Sequence, residues 1–130
     1  MIKVGINGLG RIGRAILRVN QLKRYFDVVV INDINPDIDN IAYTLNYDTL
    51  YGKQDIQYQS KGNCLINNIG DSINIHHERL INDVDWNQYD VDYVIDASGI
   101  LENIKHARDL IEKGVVKRVF VTHSPNDVDF

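Results

Sequence analysis

Val4-Gly5-Ile6-Asn7-Gly8-Leu9-Gly10-Arg11-Ile12-Gly13 reads as a strand that breaks into a glycine turn and continues as a helix. Val4, Ile6 and their neighbours form a short apolar run that ends at Asn7-Gly8-Leu9-Gly10. Beyond it Ile12, Ile16 and Val19 recur at i, i+4 and i+7, the spacing of one helical face. Asp27-Val28-Val29-Val30-Ile31 is a β-branched run of the kind buried on both faces of a parallel sheet. Strand, turn, helix and strand within about thirty residues make a βαβ unit. Gly8 to Gly13 also fits G-x-G-x-x-G, in which each glycine has a separate task. Gly8 permits the tight turn out of the strand, Gly10 lets a pyrophosphate approach the backbone, and Gly13 lets the helix lie close to the sheet. The N–H groups at the helix start carry a partial positive charge suited to phosphates, and Arg11 adds a fixed charge there.

Glycine clusters also mark ordinary turns, so the motif counts through its context. A strand precedes it, a helix follows it, and Asp33 ends the second strand twenty residues after Gly13. A carboxylate at that point accepts hydrogen bonds from a ribose 2′-hydroxyl and repels a 2′-phosphate. The expected ligand is therefore NAD rather than NADP, the alternative being a bare glycine turn in an α/β sheet.

Working outward, Asn35-Pro36-Asp37 breaks the chain, and Ile38, Ile41, Ala42 and Leu45 suit a short helix. Between Tyr51 and Ile75 three short apolar pieces, Ile56–Tyr58, Cys64–Ile66 and Ser72–Ile75, are separated by turn residues, which predicts a small antiparallel meander inserted into the α/β domain. Val91 to Ile95 reads as another buried strand. Ile104, Ala107, Leu110 and Ile111 line a helix that stops at Gly114, and Arg118 to Val121 is a last strand. Ser98-Gly99 and Thr122 follow two of these strands at their carboxyl ends, where open α/β sheets bind ligands; Ser98 is equally suited to cap a helix.

Composition narrows the classes. The 130 residues are 44% hydrophobic, enough for one cored domain and too many for wholesale disorder. A single cysteine excludes a disulfide framework and a Cys-rich zinc site. Asp and Glu number 18 against 14 Lys and Arg, which argues against a general nucleic-acid binder. No apolar run has membrane-spanning length, and the first residues do not form a signal peptide. A cytoplasmic, reducing location is the default expectation.

With the glycine turn and Asp33 in place, the whole chain resembles the N-terminal domain of phosphorylating glyceraldehyde-3-phosphate dehydrogenases. The opening to Arg14 is very similar to that family's start, where the position of Leu9 is usually Phe. Asn32-Asp33 is similar to its acidic ribose clamp. Asn46-Tyr47-Asp48-Thr49-Leu50-Tyr51-Gly52 resembles its Lys-Tyr-Asp-Ser/Thr-x-His-Gly segment, with Asn and Tyr replacing Lys and His. Glu78-Arg79 with Trp86, and Asp96-Ala97-Ser98-Gly99, match further segments in order and spacing. The resemblance implies a Rossmann-type doubly wound, mostly parallel sheet over residues 1–130. It implies that Asn7, Gly8, Gly10, Arg11 and Ile12 line the pyrophosphate, that Asn32 and Asp33 face the adenosine ribose, and that Arg79 lies by the adenine through its backbone. Ser98, Gly99 and Thr122 would flank the nicotinamide half. Arg79 without the resemblance reads as a solvated surface charge.

The same resemblance implies an oxidoreductase acting on a sugar-phosphate aldehyde, a homotetramer when full length, and a place in cytosolic glycolysis. The family's Ser-Cys-Thr-Thr-Asn segment is expected just beyond Phe130, so no catalytic residue is assigned here and the chain alone is expected to be inactive. Cys64, in the meander, lacks an activating neighbour and reads as a packing residue. His76 and His77 are adjacent on a strand and point to opposite faces, which does not suit a shared metal. His106 reads as solvated, and His123 as a loop contact rather than a general base. His123, in Thr122-His123-Ser124-Pro125-Asn126-Asp127, is closer to the related erythrose-4-phosphate dehydrogenases, which makes a cofactor domain of that enzyme the first rival. A stand-alone, non-catalytic NAD-binding module is the second.

Overall fold

The computed structural model describes residues 1–47 and 56–122. Strand β1 (Lys3–Asn7) runs into the glycine turn and helix α1 (Arg11–Lys23), which returns the chain to β2 (Asp27–Asn32). Helix α2 (Ile38–Asn46) follows, then β3 (Tyr58–Lys61), β4 (Cys64–Asn67), β5 (Ser72–His76), β6 (Tyr93–Asp96), α3 (Glu102–Glu112) and β7 (Arg118–Val121). Two short 3₁₀ turns, Ile81–Asp83 and Trp86–Tyr89, lie between β5 and β6.

The strands form one sheet in the order β3-β4-β5-β2-β1-β6-β7. The pairs β5–β2, β2–β1, β1–β6 and β6–β7 are parallel, and only β3–β4 and β4–β5 are antiparallel. The expected meander is therefore an extension of one sheet edge, with β5 belonging to both parts. Its first strand begins at Tyr58 rather than Ile56, because the Asn46 amide brackets Tyr58, accepting from its N–H at 2.7 Å and donating to its carbonyl at 2.9 Å.

The chain leaves β1 toward β2 on one side and later builds β6 and β7 on the other. Such a reversal opens a crevice at the carboxyl ends of the two strands that flank it, here β1 and β6. Apolar residues fill both faces. Ile6, Leu17, Ile31, Leu45 and Leu65 form one core under α1 and α2. Val30, Ile81, Trp86, Val94 and Leu110 form the other.

Helix α1 presents a different face from the one its isoleucines suggest. Gly13, Leu17 and Gln21 are buried, whereas Ile12 and Val19 are exposed and Ile16 is half-buried. The cause is the contact at Gly13, which must face the sheet and so fixes the rotation of the helix. Arg18 is buried as well, donating to the Leu45 carbonyl with its guanidinium over the Tyr58 ring. Helix α2 starts at an Asp37 cap whose carboxylate accepts from the Asn40 N–H at 3.1 Å. Helix α3 stops as expected at Gly114, with Gly114 N–H bonded to Ile111 O and Val115 N–H to Leu110 O. In α3, Ala107 and Leu110 are buried, but Ile111 is exposed and Asn103 takes a core position for its hydrogen bonds.

Candidate cofactor-binding site

The three glycines divide their work as steric facts. Gly8 sits at φ +98°, a left-handed conformation, and donates its N–H to Asn32 O at 2.7 Å. A Cβ on Gly8 would lie 2.7 Å from the Ser98 backbone, so the turns after β1 and β6 touch main chain to main chain. A Cβ on Gly13 would lie 2.1 Å from Gly8 O, which is how α1 comes so close to the sheet. A Cβ on Gly10 would meet nothing within 4 Å. Gly10 is the helix N-cap, no side chain caps the helix start, and the first turn carries no acidic residue. Open space therefore meets an uncapped, uncompensated positive helix end, with exposed Arg11 beside it. Such a helix end can receive an anionic group.

Asp33 follows β2 and is half-buried. One carboxylate oxygen accepts from Leu9 N–H at 2.7 Å and the other from Asn35 N–H at 3.0 Å. Its own N–H donates to His76 O at 3.0 Å. The two bonds orient the carboxylate, and each oxygen retains acceptor capacity for a ribose hydroxyl.

Beneath the site runs a row of polar residues that share one register level across three parallel strands, Asn32 on β2, Asn7 on β1 and Asp96 on β6. Asn32 Nδ2 donates to Asn7 Oδ1 at 2.7 Å and to Glu78 O at 2.9 Å, and its Oδ1 accepts from Glu78 N–H. Asn7 Nδ2 donates to Asp96 Oδ1 at 3.1 Å. Asn7 and Asn32 are each only 2% exposed. Their amides thus support the cleft from below.

The remaining candidates sit around the cleft in different ways. Ser98 Oγ donates to Asp96 Oδ1 at 2.7 Å and accepts from Ile100 N–H and Asn103 Nδ2, so its hydroxyl is committed to the turn. Gly99 is exposed, with room around its α-carbon. Thr122 donates its N–H and hydroxyl to Asp96 O at 3.0 and 3.2 Å. Arg79 is 59% exposed and pairs with Glu102 at 2.9 Å, the start of α3. Ile12 is exposed on the first turn of α1.

Asp96 and Asn103 have no role in the sequence reading. Asp96 is legible afterwards as the first residue of a local turn in which its carboxylate accepts from Ser98 N–H at 3.2 Å. Asn103 gives no such signal.

Cys64 is half-buried in β4 with its thiol donating to Asn74 Oδ1 at 3.5 Å, and His76 Nε2 pairs with the Tyr89 hydroxyl. His106 is half-buried rather than fully solvated, since α3 lies against the sheet side. Among the described residues no group of three His, Cys, Asp or Glu is placed to hold a metal ion. Also among them, no helix is long and apolar enough to cross a membrane. The Asp48–Gly52 part of the family-like segment, and the stretch from His123 to Asp127, lie outside the described residues.

Comparison with known proteins agrees with this geometry. Residues 2–104 match the family model described as glyceraldehyde 3-phosphate dehydrogenase, NAD binding domain. The chain is 36% identical over 127 residues to the cytosolic glyceraldehyde-3-phosphate dehydrogenase of Trypanosoma brucei brucei, covering 98% of this chain and 38% of that protein. It is 37% identical to glyceraldehyde-3-phosphate dehydrogenase 2 of Schizosaccharomyces pombe, over 96% of this chain and 37% of that protein. For the Danio rerio glyceraldehyde-3-phosphate dehydrogenase the identity is 35%, over 94% and 36% respectively. The chain thus spans less than two-fifths of the length of these relatives. The cofactor of the matched domain is NAD. Since the matched residues take in the glycine turn, Asp33 and the Ser98-Gly99 turn together, the chain belongs to the glyceraldehyde 3-phosphate dehydrogenase family, in its NAD-binding domain.

Proposed function

We propose that residues 1–130 form one cofactor domain that holds NAD for a phosphorylating aldehyde dehydrogenase whose nucleophile lies elsewhere in a longer polypeptide. The observation that carries this reading is the carboxyl edge of the sheet, where the open, uncapped start of α1 at Gly10 lies close to the oriented Asp33 carboxylate. Backbone N–H groups at Gly10 to Ile12, with Arg11, neutralise the pyrophosphate. Asp33 accepts from the adenosine ribose hydroxyls and excludes a 2′-phosphate. The Ser98-Gly99 turn and Thr122 lie across the crevice, on the side of the second nucleotide half. Arg79 flanks the adenine end through its backbone, with its side chain held away by Glu102.

When bound, NAD supplies a hydride acceptor. The chain's own residues orient it and set its charge preference. The one cysteine, Cys64, lies in β4 with the Asn74 amide oxygen as its hydrogen-bond acceptor, and is assigned no part in the chemistry. The aldehyde is a sugar phosphate, the full-length enzyme is a homotetramer, and its place is cytosolic glycolysis; these rest on the family resemblance.

Titration of the purified chain tests the reading. NAD is expected to bind at least tenfold more tightly than NADP, and equal affinities would overturn the role of Asp33. The chain alone is expected not to oxidise glyceraldehyde 3-phosphate with NAD and phosphate. Turnover would show that the chain carries its own nucleophile and would overturn this part of the reading.

A further inference from the structure

We infer that Asp96 is a positioning residue that sets the cleft between the β1 and β6 turns, and through it the grip on the nicotinamide half of the dinucleotide; this rests on the NAD-binding reading above. Asp96 is fully buried at the carboxyl end of β6, opposite Asn7 on one side and Val121 on the other. One of its carboxylate oxygens, Oδ1, accepts from Asn7 Nδ2 at 3.1 Å, Ser98 N–H at 3.2 Å and Ser98 Oγ at 2.7 Å. Its main-chain oxygen accepts both bonds from Thr122. Groups from β1, the β6 turn and the end of β7 therefore converge on one residue.

The anchor continues inward. Ser98 Oγ accepts from Asn103 Nδ2 at 3.0 Å, and Asn103 Oδ1 accepts from Ile81 N–H at 2.9 Å, which ties the turn to α3 and the second core. The turn so held is the one that touches Gly8 main chain to main chain. With no side chain at Gly8 to buffer that contact, a shift of Ser98 by a few tenths of an ångström changes the cleft directly. The Asp33 carboxylate is held through other groups, Leu9 N–H and Asn35 N–H, and its own N–H is bonded to His76 O. The dinucleotide lies across the switch point with its adenosine ribose on Asp33. The β6–β7 side therefore serves the other half.

The test is a fragment split on the 130-residue chain. Wild type, Asp96→Ala, Asp96→Asn and Ser98→Ala are titrated with NAD and with AMP, and thermal unfolding is followed in parallel. Asp96→Ala is expected to lose at least tenfold in NAD affinity while AMP changes less than threefold. Asp96→Asn keeps an acceptor oxygen toward Ser98 and is expected to stay within threefold for NAD. Ser98→Ala removes the three hydrogen bonds of Ser98 Oγ but leaves the Ser98 N–H and Thr122 bonds to Asp96 in place, and is expected to show a smaller loss of the same selectivity; it decides the matter if Asp96→Ala does not fold. Parallel loss of NAD and AMP, no loss in Ser98→Ala, or an Asn variant as weak as the Ala variant would each overturn the assignment. Failure of wild type to bind NAD at all would instead refute the cofactor reading.

Discussion

Adding one methyl group at Gly13 or at Gly10 separates the fold from the ligand. At Gly13 the new Cβ would lie 2.1 Å from Gly8 O, about an ångström inside ordinary contact, and the obstacle is backbone that cannot rotate away. Alanine is the better helix former by about 1 kcal/mol. Overpacking costs about 1–3 kcal/mol where side chains can adjust, and a rigid carbonyl places this site at or above the upper end. The net expectation for Gly13→Ala is a loss of roughly 2 kcal/mol, or a fall in Tm of roughly 6–12 °C for a domain of this size. At Gly10 the Cβ meets nothing within 4 Å, and the backbone is in the extended region that any residue adopts. The small loss of N-cap quality is offset by a less flexible unfolded chain, so stability should change by less than about 0.5 kcal/mol. The same methyl group occupies the space through which phosphate approaches the helix end. NAD affinity should therefore fall by about tenfold or more, about 1.4 kcal/mol. Thermal unfolding by circular dichroism and calorimetric titration read the two effects separately. Equal loss of stability in both variants, or a Gly10→Ala chain with unchanged NAD affinity, would refute this division.

Other expectations follow from single contacts. Asp33→Ala should weaken NAD binding and relax the discrimination against NADP; an unchanged preference in paired titrations would remove Asp33 from the ribose site. Burial pushes the Tyr58 hydroxyl up to about 12, above its ordinary value of 10.0. The unfolded chain then releases this proton first as pH rises, so stability is fully present below pH 10 and declines toward pH 12, by roughly 2–3 kcal/mol. Tyr58→Phe should flatten that alkaline limb in urea unfolding. The Lys3 N–H, with Lys117 beside it, holds the Asp92 carboxyl below the usual carboxylate range. Its contribution is present above pH 3.8 and lost as pH falls further, and Asp92→Asn should remove this part of the acid limb. Asp37→Ala, which removes the cap of α2, should cost about 1 kcal/mol, measured by chemical denaturation.

Much of the sheet was legible because its signals are local. Val28 to Ile31 has the continuous β-branched character that burial on both faces demands, and Gly114 marks a helix stop that needs no distant partner. The glycine turn and the place of Asp33 just after β2 were legible because strand, tight turn and helix must follow one another at a fixed spacing. The face of α1 is not legible from hydrophobicity alone. A close contact at Gly13 outweighs three aliphatic side chains, and it brings Arg18, Asn20 and Gln21 into the interior. The resemblance places Asn7 by the pyrophosphate and Asn32 by the ribose, and nothing in the sequence shows that their side-chain amides bond to each other and to Asp96 and Glu78. Which polar group faces solvent and which faces its neighbour is a property of strand register, and residues 25 or 89 positions apart carry no mark of it.

The place of β1 in the sheet bears on how the chain is made. β1 is a central strand, and its partner on one side, beginning with Tyr93 opposite Val4, is synthesised 89 residues later. At ribosomal rates of about 5–20 residues per second that is a delay of roughly 4–18 s. Through that interval β1 and β2 can pair, but the other edge of β1 offers a free row of backbone donors and acceptors beside an apolar sheet face. Chaperone dependence should therefore be greatest before β6 has emerged from the ribosome, and translation pauses placed before β6 should lower the yield of soluble protein.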